Sequence, residues 1–336
     1  MRKSDRCLEI LVPELSACIH EVNDRGGKPE STFLQVLSRA DYTRSSGVDF
    51  EEYMLEACGI KGYSDGYVSQ AAILAYGDNA LMSSVPILCS DPVFLKGDPS
   101  RLMLFDADTI GINKHEADSL ISLLNDFFRH DGLSIWCKDP RQWFIEGLSH
   151  TTYGGTSPNK LTGTPLEPDV ASRKALGDLG RIMTEAQMVL HDCEVNKRRL
   201  SGGKPPVNSI WLWGGGEQPL VTKPKITAVF ANDHFSTSCA NFSNLAVGGV
   251  EDIDLSMIHS YARGLVAIPP KYNLRETNQI LHRVIKHAVS SLKSGELDEL
   301  LIVSDRDTFL IDRQMLRRFW KRRKSLMRRI MDRGDY

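Results

Sequence analysis

Short runs dominated by aliphatic side chains recur along this chain: Leu8 to Val12, Ile210 to Trp213, Ile226 to Ala231, Gly264 to Ile268 and Leu300 to Ser304. Runs of this length with little polar alternation read as strands covered on both faces. The segments between them carry helical spacing: Phe33 to Ala40, Phe50 to Ala57, Leu176 to His191 and Glu276 to Leu292. The clearest helix begins at Asn113, an N-cap residue with Glu116 three positions on, and then places Ala117, Leu120, Ile121, Leu124 and Phe128 on one face. Strands alternating with helices predict an α/β fold with a largely parallel sheet.

Other segments are less regular. Val85 to Phe94 and Leu102 to Phe105 read as short strands, and Pro86 and Pro92 point to sheet edges. Leu133 to Cys137 and Trp143 to Ile145 are further strands. Residues 147 to 168, rich in Gly, Ser, Thr and Pro, predict a long exposed loop, and Ser201 to Pro206 a turn.

The 336 residues suffice for one large domain or two modest ones. The apolar runs are far too short to span a bilayer. The opening residues lack the long apolar segment and small-residue cleavage site of a signal peptide. Seven cysteines, an odd number with wide spacing and no C-x-x-C pair, fit reduced thiols and argue against a structural zinc site. A cytoplasmic protein is expected. The net charge of −2 hides an asymmetry, because ten Lys or Arg lie between Arg313 and Arg333. Met315, Leu316, Phe319 and Trp320, then Leu326, Met327 and Ile330, give those residues an amphipathic helical pattern. A basic C-terminal helix over 313–336 follows. It would suit docking on an acidic surface of this protein or a partner, or contact with nucleic acid or a membrane surface.

The most informative stretch joins Gln187, Met188, Leu190 and His191 to Asn196, Arg199 and the run Val207-Asn208-Ser209-Ile210-Trp211-Leu212-Trp213-Gly214-Gly215-Gly216. Asn196 both donates and accepts, and Arg199 offers a planar fork suited to carboxylate or phosphate beside a turn where backbone can approach a ligand. The tryptophans read as core, and the asparagines serve equally well as caps. In this pattern the chain resembles the archaeal-type cofactor-independent phosphoglycerate mutases. Asp106, the helix from Glu116 to Asn125, and Pro140-Arg141-Gln142-Trp143 fit their intervening domain. It is also similar to a bacterial group described as phosphoglycerate-mutase-like, or as regulatory proteins of the RpfE type. That group shares Ser90-Asp91-Pro92-Val93, Asp131-Gly132-Leu133, Gln187-Met188-x-Leu190-His191 and Arg318-Phe319-Trp320-Lys321-Arg322. The resemblance covers about 85 to 320, most firmly 180 to 216.

This resemblance implies a degenerate alkaline-phosphatase-like α/β core over 1–84 and 217–312, interrupted by an α+β intervening domain over 85–216. Mutases of this kind use two divalent metals and a phosphoryl-carrying Ser, which requires clustered Asp and His ligands. The expected Asp-Gly after the first strand is here Pro13-Glu14-Leu15, and the expected Asp-His-Gly after a late strand is Ser304-Asp305-Arg306. Asn232-Asp233-His234 also follows a strand, but too early in the chain for the family's Asp-His. The leading expectation is therefore a non-catalytic or regulatory relative with no cofactor, binding a small anionic ligand or a protein partner. Its ligand residues would be Arg141, His191, Asn196, Arg199, Asn208 and Gly214 to Gly216. The alternatives are an active mutase or metal-dependent phosphatase loaded with Mn or Zn, and a nucleic-acid-binding regulator acting through the basic tail.

Overall fold

A computed structural model describes residues 6–24, 31–44, 47–63, 66–77, 85–97, 101–148, 155–166, 177–250, 262–270 and 273–318. In chain order the first elements are β1 (Cys7–Leu11), α1 (Leu15–Asp24), α2 (Ser31–Arg39), β2 (Asp41–Arg44), α3 (Phe50–Ala57), β3 (Ile60–Lys61) and α4 (Gln70–Tyr76). They are followed by β4 (Ile87–Gly97), β5 (Leu102–Phe105), α5 (Ala107–Ile110), α6 (Lys114–Phe128), β6 (Ser134–Asp139), β7 (Gln142–Glu146) and α7 (Pro158–Leu161). The remainder is α8 (Asp178–His191), α9 (Glu194–Ser201), β8 (Ser209–Trp213), β9 (Leu220–Val221), β10 (Ala228–Phe230), α10 (His234–Phe242), β11 (Ala246–Gly248), β12 (Arg263–Ala267), α11 (Leu274–Ser294), β13 (Glu299–Val303) and β14 (Asp307–Asp312). The chain divides into two units, one of residues 1–61 with 221–336 and one of residues 62–220. The second unit therefore begins well before the expected 85. Its extra segment is tied in by backbone bonds within the unit, Ala71 N–H to Gly214 O and Ser69 N–H to Glu217 O, both 2.8 Å.

The first unit holds a seven-stranded sheet in the order β11-β10-β12-β1-β13-β14-β2. β11, β10, β12, β1 and β13 run parallel, while β14 turns back antiparallel and β2 pairs antiparallel with it. The fold is thus α/β with a largely parallel central sheet. All five residues of β1 are buried, as a strand with partners on both edges and helices on both faces requires. Leu8, Ile10 and Val12 point to the larger layer, where α1, α2 and α11 supply Ile19, Leu34, Leu37, Leu281, Val284, Ile285 and Ala288. Leu316 packs against the same layer, and Met315 beside it is buried. Met315–Arg317 forms a single 3-10 turn where the basic helix was expected to begin, and the rest of that expected helix lies outside the described residues.

Successive residues of a strand alternate faces, so Cys7, Glu9 and Leu11 meet the opposite layer. Glu9 is 5% exposed. Its carboxylate accepts Tyr53 Oη–H at 2.9 Å and Arg263 Nη2–H at 2.5 Å. A buried carboxylate requires such partners.

The second unit is built on β4. Its first residues pair with β7 and its last with β5, while residues 89–93 pair with β8. Pro92 was expected at an edge, yet β4 is central. The register explains this. The Asn208 side chain takes both the N–H and the C=O of Leu95, at 2.7 and 2.8 Å, along the edge that β8 occupies. Backbone groups alternate along a strand, so the Pro92 nitrogen faces the other edge, in the gap after β7 leaves and before β5 begins. The donor that proline lacks has no ladder to serve there. Trp143 N–H, left without a β4 carbonyl, donates instead to Asp91 Oδ1 at 3.1 Å. The capping box of α6 forms as the sequence predicts, with Asn113 Oδ1 receiving Glu116 N–H and Glu116 Oε2 receiving Asn113 N–H, each at 3.0 Å. Within the expected exposed loop, residues 158–161 form α7, and Leu166 N–H bonds Leu102 O at 2.8 Å.

Removing one member of a buried ion pair leaves the other stranded. Arg263→Ala is expected to destabilise the first unit by roughly 2–3 kcal/mol, less than a fully buried pair would lose because the arginine is partly exposed. The double change Arg263→Ala with Glu9→Leu should recover most of that loss, which urea unfolding of all three proteins would measure.

Candidate functional site

The residues expected to bind an anion lie in the second unit: His191 ends α8, Asn196 and Arg199 lie on α9, Asn208 precedes β8, Gly214 to Gly216 follow it, and Arg141 lies between β6 and β7. Asn196, in the first turn of α9, is 1% exposed. Its Nδ2 donates to Leu190 O, near the end of α8, and to Val207 O, while its Oδ1 receives Val207 N–H at 2.9 Å. Asn208 deals in the same way with Leu95. A third asparagine, Asn125 of α6, receives Ile135 N–H at 2.7 Å and donates to Ile135 O at 2.8 Å. In each case a side-chain amide imitates a peptide unit and continues strand pairing where no strand is present.

Arg199 is 2% exposed. Nε donates to Pro205 O at 2.8 Å, Nη2 to Ile110 O at 2.6 Å and Nη1 to Glu116 Oε2 at 2.7 Å. The fork therefore ties α9, the 202–206 turn, the end of α5 and the capped start of α6 together. The expectation that Arg199 offers its fork to a ligand is corrected: its directions are filled from within, because the turn after α9 folds back over the guanidinium.

The glycines have a related explanation. Gly214 has φ 74° and Gly216 φ 156°, in the region that favours glycine. A Cβ on Gly216 would stand 2.3 Å from Tyr67 O, and one on Gly214 3.2 Å from Ala71 N. Gly215 between them is buried. The turn was expected to bring backbone close to a ligand; what stands against these glycines is the segment 67–71 of the same unit. Gly214 O also receives Ser69 Oγ–H at 3.3 Å. Arg141 and His191 are exposed. Arg141 is held by Asp139 Oδ1 at 2.9 Å and Asp108 Oδ1 at 2.8 Å, apart from the internal network of Arg199.

Asp91, present in the sequence analysis only as part of a shared motif, was not among the expected site residues. It is 6% exposed. Besides Trp143 N–H it accepts Trp213 Nε1–H at 2.7 Å. Burial pushes its carboxyl up to about 7, against the lowering effect of these two donors and with Asp106 and Asp108 adding to the rise.

In the first unit, the carboxyl ends of the parallel strands are where such sheets bind ligands. β1 runs into Pro13 and Glu14, and β12 into Ile268, Pro269 and Pro270. β13 runs into a tight turn in which Ser304 Oγ receives Asp307 N–H at 3.0 Å and Arg306 is left 77% exposed. At the end of β10, Asp233 caps α10, its Oδ1 receiving Ser236 N–H at 2.8 Å. Its Oδ2 is shielded from solvent without a partner, and burial raises its pKa, which favours the neutral acid. Asn232 Oδ1 receives Val250 N–H at 2.9 Å. Among the described residues no three His, Cys, Asp or Glu side chains are grouped to hold a metal ion. The donor set described here does not fit a pair of divalent cations, which requires several converging carboxylates.

No family model matches the chain. It is 34% identical over 121 residues to 2,3-bisphosphoglycerate-independent phosphoglycerate mutase 2 of Methanothermobacter thermautotrophicus, a match covering 35% of this chain and 30% of that protein. It is 36% identical over 67 residues to the 2,3-bisphosphoglycerate-independent phosphoglycerate mutase of Methanosarcina barkeri, covering 20% and 17%. The matched stretch thus spans less than a third of the length of these relatives. Among solved structures it is similar to the PH0037 protein from Pyrococcus horikoshii, with a TM-score of 0.54 and 12% identity over 99% of both chains. That likeness concerns the fold alone. A third of the chain is therefore mutase-like at low identity.

The internal role of Arg199 has a measurable consequence. Arg199→Ala strands Glu116 and two backbone carbonyls, and is expected to cost about 3–5 kcal/mol in chemical denaturation. Arg199→Lys should recover only part of this, because an ammonium cannot span three acceptors fixed in a fork.

Proposed function

We propose that this chain is a phosphoglycerate-mutase-like protein that works by binding, as a regulatory relative, rather than by two-metal phosphoryl transfer. One observation carries the reading. At the strand ends of the parallel sheet the side chains serve the chain itself: Asp233 as a helix cap, Ser304 as a turn staple, Pro269 and Pro270 as the exit from β12. The regulatory role implied by the RpfE-type resemblance agrees with it.

Between the two ligand classes considered from the sequence, a protein partner has the better support. Arg199 and Asn196 are closed off from any anion. Exposed apolar side chains stand on the helices of the mutase-like stretch, with Met188 73%, Leu200 60% and Phe127 46% exposed. A protein partner is what would cover apolar side chains such as these where they share one surface. The reading through the basic tail rests on residues outside the described ones. The active-enzyme reading remains the competitor, since the named relatives are mutases.

Purified protein stripped with chelator and reloaded with Mn or Zn decides between them. The expected result is no metal-dependent interconversion of 2- and 3-phosphoglycerate and no metal-dependent hydrolysis of an aryl phosphate. Turnover that appears with metal and vanishes with chelator would replace this proposal with the enzyme.

A further inference from the structure

α11, 21 residues long, buries one side in the core of the first unit through Leu281, Val284, Ile285 and Ala288. Its exposed side carries Arg275, Lys286 and Lys293. Their separations are close to three and two whole helical turns, so the cations stand in one line, roughly 16 and 10 Å apart. Arg313 adds a fourth cation at the helix end, where a Cβ on the capping Gly295 would lie 3.8 Å from Arg313 Nη1. Among the described residues, none of these four side chains has a hydrogen bond or an ion pair. Helices of the second unit treat their cations differently, with Lys114 on Asp118, Arg181 on Glu185 and Lys197 on Glu194, each within three or four positions. On α11 the positions where such acids would stand hold Gln279, His282 and Ser290. The acids nearby are directed elsewhere. Glu276 projects about 100° around the helix from Arg275, Glu21 receives Asn278 Nδ2–H at 2.5 Å, and Glu296 receives Ser294 Oγ–H at 2.9 Å. Lys293 and Arg313 complement the negative end of the helix dipole, but Arg275 in the first turn opposes its positive end. Helix stability therefore does not account for the line.

We propose that this face of α11 docks on the phosphate backbone of duplex nucleic acid. It is a second surface, beyond the protein-binding reading, which rests on the other unit. Charge decides against the chain's own C-terminus as occupant. Leu316 packs on the same layer, with its carbonyl held by Arg39 Nη1 at 2.8 Å, so the chain leaves from this side of the unit. Residues 319–336 hold seven Lys or Arg against two Asp, which repel the line and add to the same positive field. A membrane surface would have to bury apolar side chains, and none of the large exposed ones among the described residues lies on α1, α2, α11 or 313–318. The same face lacks the exposed aromatic rings on which single-stranded bases stack. Protein interfaces are depleted of Lys at their centres. A duplex carries a negative charge about every 1.7 Å of its length, so a rigid line of cations about 27 Å long finds phosphates at each position without ordering a flexible partner.

The test follows the fluorescence anisotropy of a labelled duplex of about 24 base pairs and arbitrary sequence, titrated with the full chain from about 25 to 200 mM salt. Binding should weaken with salt on a log–log slope of about −3 or steeper. The triple variant Arg275→Gln, Lys286→Gln, Lys293→Gln should make that slope shallower by about 2.7, because each phosphate neutralised contributes about 0.9. Its affinity at about 50 mM salt should fall by more than about tenfold. Gln279→Lys, which adds a cation beside the line, should tighten binding and steepen the slope by about 0.9. Lys114→Gln with Lys197→Gln, on the second unit, should change neither. If the triple variant does not fold, Gln279→Lys decides. No binding to the duplex overturns the proposal. An unchanged slope in a folded triple variant does so too, by leaving any affinity to the tail alone. Tighter binding to polyglutamate, to phosphatidylserine vesicles or to the single strand, lost in the triple variant, gives the face to another occupant and equally overturns it.

Discussion

β1 is hydrogen-bonded along both edges to strands near the other end of the chain, Cys7 pairing with Arg263 on one side and with Glu299 on the other. Neither pairing forms until the whole second unit, residues 62–220, has been accommodated between them. The entropy of closing so long a loop is only logarithmic in its length, but the contact is distant in sequence and forms late and slowly. A second unit that collapses by itself shortens the effective loop. Its strands pair within the unit, β4 with β5, β7 and β8, and Asn196, Arg199 and Asn208 find their partners inside it. The division of the chain into units is in this sense a condition for the parallel sheet.

The mutase-like signature takes on a different meaning once its hydrogen bonds are traced. Asn196, Arg199 and Asn208 hold backbone groups that would otherwise be buried without partners, and the glycines admit a neighbouring segment. Each is a requirement of this arrangement of helices and strands within the second unit. Similarity at these positions carries the architecture of the unit. The strand ends of the first unit, where phosphoryl chemistry would reside, are built from caps, turns and prolines.

Much of the fold was legible because periodicity and length are local signals. α3 spans the residues its spacing indicates, α6 begins at its capping box, and β1, β8, β12 and β13 fall on their apolar runs. Partner identity was harder to read. A guanidinium beside a glycine turn looks the same in sequence whether its acceptor is a phosphate or the carbonyl of residue 110. Glu116 was recognised as a cap, but its second bond to Arg199 joins residues 83 apart. Pro92 suggested an edge because the rule concerns a missing donor, and only the register shows that the donor would face a gap between two strands. Asp91 was legible only as part of a shared motif, because the bonds it takes from Trp143 of β7 and Trp213 of β8 depend on how those strands flank β4. The hairpin from β13 into β14 is built by Ser304 and was hidden by attention to the same residues as lost metal ligands.

The asparagines that stand in for peptide units bear on how the protein ages. Asparagine side chains hydrolyse slowly to aspartate when the following backbone nitrogen can swing round to attack the amide carbon. Asn125, Asn196 and Asn208 are each clamped by a residue that both donates to the side chain and accepts from it, which holds the amide away from that approach. Were hydrolysis to occur in a transiently opened molecule, the new carboxylate would set an oxygen against the carbonyl of Leu95, Ile135 or Val207, two acceptors facing each other in a dry interior. Such a molecule could not close again in its original form, so chemical damage at these positions would separate worn copies of the protein from intact ones.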